Sequence, residues 1–153
     1  MSDNLTHALL CRSIDYGSPE YHQALTLRFD VLRKPLGIAF DPERLKLESA
    51  DLHFACFQGE RLVATLILTP LSVAEAQMRQ FAVANGLQKS GIGRTLMAHA
   101  ERCALEYGFV RISMHAREIA IPFYEKHGYA KVGDRFYEVT LPHFVMAKDL
   151  ETR

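Results

Sequence analysis

A strand, a short loop and a long amphipathic helix follow one another in the middle of the chain, and this succession constrains the fold most. Residues 76–83 form a β-rich run, and residues 84–91 form a loop that ends on Gly91. Residues 91–107 then repeat apolar side chains at steps of three and four, the period of a helix with one buried face. The apolar stripe consists of Ile92, Leu96, Met97, Ala100, Cys103, Ala104 and Tyr107. Gly108 marks the expected helix end. The succession predicts a domain of mixed α and β structure.

The rest of the chain extends this pattern to the order β-α-β-β-β-α-β-α-β-β. Further strands are predicted at 6–14, 52–57, 62–68, 110–115, 129–140 and 144–148. A first helix is predicted to begin after Ser18, since Ser-Pro-Glu is a helix-start pattern, and to end near Lys34, since Pro35 disfavours helical geometry before it. A short helix is predicted at 119–127. Turn signals are scattered singly, so we expect a single domain over 1–153.

The composition excludes several classes of protein. The chain has 153 residues, of which 48% are hydrophobic and 24% charged, as in ordinary globular domains. Lys plus Arg and Asp plus Glu both number 18, so the basic excess of a dedicated nucleic-acid binder is missing. The first ten residues lack the basic start and apolar run of a signal peptide, and no apolar stretch approaches the roughly 20 residues that span a bilayer. We therefore expect a cytoplasmic protein with no nucleic-acid and no membrane partner.

The cysteines and histidines do not form a recognisable metal or disulfide pattern. The three cysteines are Cys11, Cys56 and Cys103. An odd number without C-x-x-C spacing argues against a disulfide framework and a cysteine-rich zinc site, so we expect reduced thiols. A cysteine–histidine hydrolase is disfavoured, because His53 and the cysteine three residues later point to opposite faces of a strand. His53, His115 and His143 lack metal-ligand spacing, so no metal is expected.

The loop before the long helix suits an anion. The amino terminus of a helix carries N–H groups that its own ladder does not use, together with a partial positive charge. Glycines at 91 and 93 let an anion approach this backbone closely. A P-loop string does not occur, and Leu96 stands where the dinucleotide pattern needs its third glycine. A phosphate or pyrophosphate is the ligand that this loop predicts. The alternative is that the glycines only permit close packing at a tight helix entry.

At these residues the sequence resembles the GNAT family of acyl-CoA N-acyltransferases. The family's acetyl-CoA signature is Arg or Gln, two residues, Gly, one residue, then Gly or Ala, and Gln88, Gly91 and Gly93 match it. A second family feature runs from Arg117, where the family commonly has Asn, to Tyr124. Segments similar to the ElaA-type branch of small bacterial acetyltransferases are Met78–Val83, His115–Arg117 and Pro142–Met146. The resemblance implies the GNAT fold of the α/β (α+β) class, with a central mixed sheet of six or seven strands flanked by helices.

The resemblance also implies the activity and most of the site. The implied reaction is direct transfer of an acetyl group from acetyl-CoA, as co-substrate, to a primary amine of a small-molecule or peptide acceptor, with no metal. The implied cofactor-binding residues are Phe81, Ala82, Val83, Gln88, Lys89, Ser90, Gly91, Ile92, Gly93, Arg94, Thr95 and Arg117. In the family the strand at 76–83 is bulged and splays from its parallel neighbour, which opens a slot for the cofactor. Tyr124 holds the family position of the acid that protonates the departing thiolate.

The general base is not identified by the pattern. Gln77 stands where some relatives carry a glutamate. The residues considered as substrate contacts are Arg28, Arg33, Gln80, His115 and His143. Either of the last two could be the base, because imidazole changes charge near neutral pH, or they are surface and packing residues. Together with Lys34, the two arginines indicate a carboxylate-bearing acceptor, or else these cations lie on a solvated helix face.

Two expectations concern the wider role of the chain. The family fold often dimerises through its late strands, so a homodimer is one assembly that the resemblance implies. The alternative to an enzyme is an acyl-CoA-binding sensor or scaffold of the same fold without turnover. That alternative predicts coenzyme A binding without acceptor-dependent release of thiol.

Overall fold

Eight strands and four α-helices are present in residues 8–151, the part of the chain that this computed structural model describes. The strands are β1 (Leu9–Ile14), β2 (Leu52–Gln58), β3 (Arg61–Pro70), β4 (Glu75–Val83), β5 (Arg111–Arg117), β6 (Ala130–Lys131), β7 (Phe136–Glu138) and β8 (Leu141–Asp149). The helices are α1 (Pro19–Arg28), α2 (Pro42–Leu47), α3 (Ile92–Glu106) and α4 (Ile121–Lys126). Residues 6 and 7 of the predicted first strand lie outside the described residues. Within 8–151, no helix is both long and apolar enough to cross a bilayer.

The strands form a mixed sheet, as predicted. Their order is β1-β2-β3-β4-β5-β8-β6, and β7 pairs with β8. Strands β4 and β5 are parallel, whereas β1–β2, β2–β3, β5–β8, β6–β8 and β7–β8 are antiparallel. The predicted element order is therefore confirmed except at two places. Helix α2 lies between α1 and β2, where the predicted order has no helix, and two short strands replace one at 129–140. Gly133 and Asp134 lie between them, and both residue types are disfavoured in strands.

Helix α1 begins where the sequence predicts. The Ser18 hydroxyl accepts a hydrogen bond from the Tyr21 backbone N–H, and Pro19 occupies the first turn. Beyond α1 the backbone changes to a π-helical turn at 29–33 and then to a 3₁₀ turn at 34–36. The α-helix thus ends at Arg28, before the predicted end near Lys34, and the helical turns continue through Leu36. The predicted end is therefore wrong, because Lys34 keeps helical backbone angles (φ −55°, ψ −44°) directly before Pro35.

The residues group into two compact units. The first unit consists of 8–69 and 80–100, and the second of 70–79 and 101–151. In the first unit, α1 packs on β1, β2, β3 and the end of β4. Its core consists of Ile14, Ala24, Leu27, Ala55, Phe57, Leu62, Ala82 and Ala84. The prediction of a single domain over 1–153 stays a prediction.

The apolar stripe of α3 is buried, with one exception. Ile92, Leu96, Met97, Ala100 and Ala104 are buried, and Cys103 is half-buried. Tyr107 is 63% exposed, so its inclusion in the buried stripe is wrong. The reason is that α3 ends one residue earlier, and the chain then leaves the helical path.

A pair of hydrogen bonds closes α3. The backbone N–H of Gly108, at φ +96°, donates to Leu105 O (3.0 Å), and that of Phe109 donates to Ala104 O (3.0 Å). This is the Schellman arrangement, in which a left-handed residue satisfies the last carbonyls of a helix. The glycine predicted to end the helix does so.

In the second unit, β5 is paired on both edges. Residues 75–78 of β4 pair with 111–114 of β5, and β5 pairs with β8 over its whole length. Tyr129 Oη donates to Glu101 Oε2 (2.8 Å), and Lys148 Nζ donates to Glu101 Oε1 (3.1 Å). These two bonds tie the start of β6 and the end of β8 to the last turns of α3.

Candidate active site

The loop between β4 and α3 is anchored to the end of β4 by its glutamine. Gln88 Nε2 donates to the backbone oxygen of Val83 at 2.7 Å. The loop also turns back on itself, since the N–H of Leu87 donates to Ala84 O at 3.0 Å. The signature glutamine therefore shapes the loop through its side-chain amide.

The second half of the loop turns through two left-handed residues. Lys89 has φ +67° and Gly91 has φ +90°. The Thr95 N–H donates to Gly91 O at 3.1 Å, which is the first hydrogen bond of the α3 ladder. The N–H groups of residues 92–94 therefore precede that ladder, as in the first turn of any helix. They lie at the amino terminus of α3.

The two hydroxyls of the loop are committed to backbone carbonyls. Ser90 Oγ donates to Leu87 O, and Thr95 Oγ1 donates to Gly91 O at 2.9 Å. Lys89 and Arg94 are both exposed, so their cationic groups reach solvent. Backbone N–H groups and two cationic side chains are therefore what the loop offers to an anion.

Gly93 lets α3 lie against β4. A Cβ at this position would lie 3.1 Å from Phe81 Cζ and 3.3 Å from Val83 Cγ2. The alternative interpretation of the glycines, that they permit close packing at the helix entry, therefore holds for Gly93. At Gly91 the requirement is the positive φ, a conformation that costs an L-residue roughly 1–2 kcal/mol. The two glycines are needed for different reasons.

Strand β4 is irregular where the family slot is expected. The backbone angle φ of Gln80 is +57°, a value that is rare for a residue other than glycine within a strand. Of β4, residues 75–78 have partners on β5, and the last of these pairs is Met78 with Met114. Strand β5 continues through Arg117 in partnership with β8. The end of β5 therefore extends three residues past its last pairing with β4.

Tyr124 is held by the closing turn of α4. Its backbone oxygen accepts from the N–H groups of His127 (3.0 Å) and Tyr129 (3.1 Å). Its ring lies 5.3 Å from that of Phe123 and 6.0 Å from that of Tyr129. Burial raises the pKa of the Tyr124 hydroxyl to about 12. The phenol therefore stays protonated at neutral pH and can act as a proton donor.

Two histidines flank one phenylalanine at the end of β5. His115 Nδ1 lies 2.9 Å from Glu138 Oε1, and its ring meets that of Phe136 at 5.2 Å. On the other side, the Phe136 ring lies 5.7 Å from that of His143. His143 Nδ1 lies 2.9 Å from Leu141 O. Carboxylates and carbonyls accept only, so Nδ1 is the donor in both contacts, and the other ring nitrogen, Nε2, is not used in either of them.

The two histidines differ in accessibility. His115 is exposed, whereas His143 is only 7% exposed. The Nε2 of His115 can therefore meet a solvent-borne molecule more readily. Its carboxylate partner, Glu138, was missed by sequence reasoning, because it lies on β7, a strand that the sequence does not mark as separate.

Comparison with known proteins identifies the family of the chain. The family model for the acetyltransferase (GNAT) domain matches residues 40–150. This chain belongs to the GNAT acetyltransferase family. YjcF of Bacillus subtilis, an uncharacterised N-acetyltransferase, is 26% identical over 127 residues, which cover 82% of this chain and 90% of YjcF.

Solved GNAT structures share the fold. An N-acetyltransferase structure from Lactobacillus plantarum has a TM-score of 0.85 at 24% identity and covers 94% of this chain and 99% of its own. Escherichia coli ElaA has a TM-score of 0.76 at 17% identity, and the match covers 93% of this chain and 100% of the ElaA chain. A GNAT acetyltransferase of Elizabethkingia anophelis, solved with acetyl-CoA bound, has a TM-score of 0.73 at 12% identity, covering 93% and 98%. The expected GNAT fold is confirmed, and the chain is an acyltransferase by family.

The GNAT site residues considered from the sequence fall into two groups. The first unit contains the end of β4 and the loop, together with Arg28, Arg33 and Gln80. The second unit contains Tyr124, His115, His143 and Arg117, which ends β5 opposite His143. Arg117 is exposed.

The structure corrects the role expected for Arg28. Its side chain is 1% exposed, and Nη1 and Nη2 donate to the two carboxylate oxygens of Glu48 at 2.8 and 2.7 Å. Tyr21 Oη donates to the same carboxylate at 2.9 Å, and His53 Nε2 donates to the Glu48 backbone oxygen at 2.7 Å. The guanidinium is thus sequestered in a buried network and does not reach an acceptor.

Arg33 is also engaged within the fold. Its Nη1 donates to Ala39 O at 3.1 Å, and its guanidinium stacks over the Phe40 ring at 4.6 Å. Phe29 lies beside the same ring, at 6.3 Å between centroids. This arginine therefore orders the segment after α1.

Proposed function

We propose that this GNAT protein transfers the acetyl group of acetyl-CoA to a primary amine. The observation that carries the proposal is the loop at 88–95. The chain turns through the left-handed Gly91 into α3. The first N–H groups of that helix, which its own hydrogen bonds do not use, belong to the same short segment as two exposed cations, Lys89 and Arg94. Those donors fit the pyrophosphate of coenzyme A, because helix amino termini combine oriented N–H groups with a positive dipole.

The acceptor amine must lose a proton before it attacks. An alkylamine is mostly protonated at neutral pH, since its ordinary pKa is about 10.4. We assign the role of base to His115. Its Nδ1–H is oriented by Glu138, and this leaves Nε2 to take the proton directly or through water. The arrangement is that of a base oriented by a carboxylate.

The thiolate that leaves must then gain a proton. Tyr124 is assigned this role because it holds the family position and because burial raises its pKa to about 12. The backbone of 81–83 is assigned to the pantetheine arm and to the developing oxyanion, as the family implies. An amine borne by a small molecule or a peptide remains the proposed acceptor class.

Binding of the donor is tested by a thermal-shift titration with acetyl-CoA, with ATP and desulfo-CoA as comparison ligands. At 100 times its Kd, a ligand of the folded state adds about 2.7 kcal/mol. For a chain of this size that raises Tm by roughly 5–11 °C. No shift at millimolar acetyl-CoA would overturn the proposal.

Gly91→Ala and Gly108→Ala form a matched pair for this titration. Both replace a glycine at φ near +90°, so both carry a similar strain, but only the first lies in the loop. We expect both variants to lose stability and only Gly91→Ala to lose affinity for acetyl-CoA, by tenfold or more. Equal affinities would remove the loop from the site.

Turnover is tested by thiol release against a panel of amines. We expect His115→Gln to lower kcat strongly while the acetyl-CoA shift is unchanged, and Glu138→Gln to lower kcat less. Donor binding without amine-dependent thiol release would favour the sensor or scaffold instead.

A further inference from the structure

Cys11 and Cys56 face each other across the first two strands. They are register partners in the antiparallel β1–β2 pair. Their sulfur atoms lie 2.8 Å apart, and the Cys11 thiol donates to the Cys56 sulfur. All three cysteines of the chain are unbridged thiols. The two thiols are therefore in contact, which their spacing in the sequence does not reveal.

The backbone around the pair already suits a disulfide. A disulfide has an S–S length of about 2.05 Å and needs Cα atoms about 4.4–6.8 Å apart. Directly opposed residues of an antiparallel pair have Cα atoms about 4.5–5.5 Å apart, which falls within that range. The sulfurs need to approach by about 0.8 Å more, which side-chain rotation can supply.

We propose that Cys11 and Cys56 are an oxidative modification site, which a peroxide converts into a cross-strand disulfide. The Cys11 thiol gives up its proton as its sulfur attacks a peroxide oxygen, the O–O bond breaks, and the departing hydroxide takes up that proton, so that sulfenic acid and one water form. The Cys56 sulfur then attacks the sulfenic sulfur, the S–O bond breaks, and a second water leaves with the Cys56 proton. Two thiols are oxidised by two electrons, and one hydrogen peroxide is reduced to two waters.

The burial of the two thiols sets this order. Cys11 is half-buried and reachable by a small oxidant, whereas Cys56 is 0% exposed. Burial, together with the hydrogen bond to Cys11, raises the pKa of the Cys56 thiol to about 12. Cys56 is therefore protected from the oxidant and acts second, on a neighbour already in contact.

The bridge would fasten β1 to the rest of its unit. The two cysteines are 45 positions apart, so the disulfide closes a long loop and restricts the unfolded chain. From the loop-length relation we expect oxidation to raise Tm by roughly 8–16 °C for a chain of this size. Thiol reductants should reverse the shift.

The test is oxidation of the whole protein with hydrogen peroxide, followed by thiol counting in denaturant and intact mass. We expect the thiol count to fall from three to one, with the loss of two hydrogen atoms and a peptide bridging positions 11 and 56. The Cys103→Ser variant keeps only Cys11 and Cys56, and both of its thiols should be lost on oxidation. Cys11→Ser and Cys56→Ala should not form the bridge, and circular dichroism checks that both are folded.

Two results would overturn the proposal. One is a thiol count that stays at three under conditions that oxidise a reference vicinal dithiol. The other is oxygen addition at Cys11 without a bridge, which would show that the Cys56 sulfur does not reach it. Acetyl-CoA binding by Cys11→Ser should equal that of the wild type, so this test is independent of the loop.

Discussion

Replacing Glu48 with Gln should destabilise the protein severely, because it leaves a buried guanidinium without its counter-charge. Arg28 is 1% exposed and makes two hydrogen bonds to Glu48, at 2.8 and 2.7 Å. In Glu48→Gln the shape is kept, but one guanidinium N–H group then meets an amide N–H. Removing one partner of a buried pair typically costs about 3–5 kcal/mol.

The matched control is Glu43→Gln. Glu43 also pairs with a cation, Lys46 Nζ at 3.2 Å, but both side chains are largely exposed. Exposed pairs contribute about 0–1 kcal/mol. At roughly 2–4 °C per kcal/mol, Glu48→Gln should lower Tm by roughly 6–20 °C and Glu43→Gln by a few degrees at most. Scanning calorimetry or urea denaturation measures both, and equal losses would refute the reasoning.

The same pair predicts a dependence of stability on pH. Burial alone would raise the pKa of the Glu48 carboxyl, but the hydrogen bond and charge of Arg28, with the Tyr21 hydroxyl, outweigh it and lower that pKa. A carboxyl with a lowered pKa contributes stability above its unfolded pKa, and that contribution is lost as pH falls towards the folded value. Wild type should therefore lose more unfolding free energy on acidification than Glu48→Gln. If the unfolding free energies of the two proteins fell in parallel as the pH is lowered, this prediction would be contradicted.

Further predictions concern the helix entry and the acid. Gly93→Ala should cost about 1–3 kcal/mol in urea denaturation, because its Cβ would lie 3.1 Å from Phe81 Cζ, whereas Gly133→Ala, with open space around it, should cost far less. Tyr124→Phe should lower kcat and leave the acetyl-CoA shift intact. Since burial raises the pKa of this phenol to about 12, the wild type should show no alkaline loss of kcat from it below about pH 11. A loss of kcat near pH 9 that vanishes in Tyr124→Phe would contradict that assignment.

The local elements could be predicted from the sequence because their signals are local. Ser18 and Pro19 mark the start of α1, and Gly108 closes α3, since caps and left-handed ends act within a few residues. The strand–loop–helix segment at 76–107 was found for the same reason. Where a periodic pattern ran past its element, as at Tyr107, the prediction was wrong.

In the candidate site, too, the contiguous segment could be predicted from the sequence, whereas the contacts between distant residues could not. The loop at 88–95 is contiguous, so its glycines, cations and helix amino terminus could be read together. The partner of His115 lies 23 positions away on β7, and that of Arg28 lies 20 positions away beyond α2. No spacing rule joins residues whose proximity depends on strand register and on the path of intervening turns.

The sequence by itself determined most of the order of the elements and the family, and it singled out the loop at 88–95 as the candidate site for an anion. Only the tertiary structure decided which polar groups meet. It assigned Arg28 to Glu48 rather than to an acceptor, oriented His115 with Glu138, and set Cys11 opposite Cys56. The physical reason is that propensities and caps are properties of neighbours along the chain. Ion pairs, oriented imidazoles and thiol contacts depend on distances that exist only once distant segments have packed.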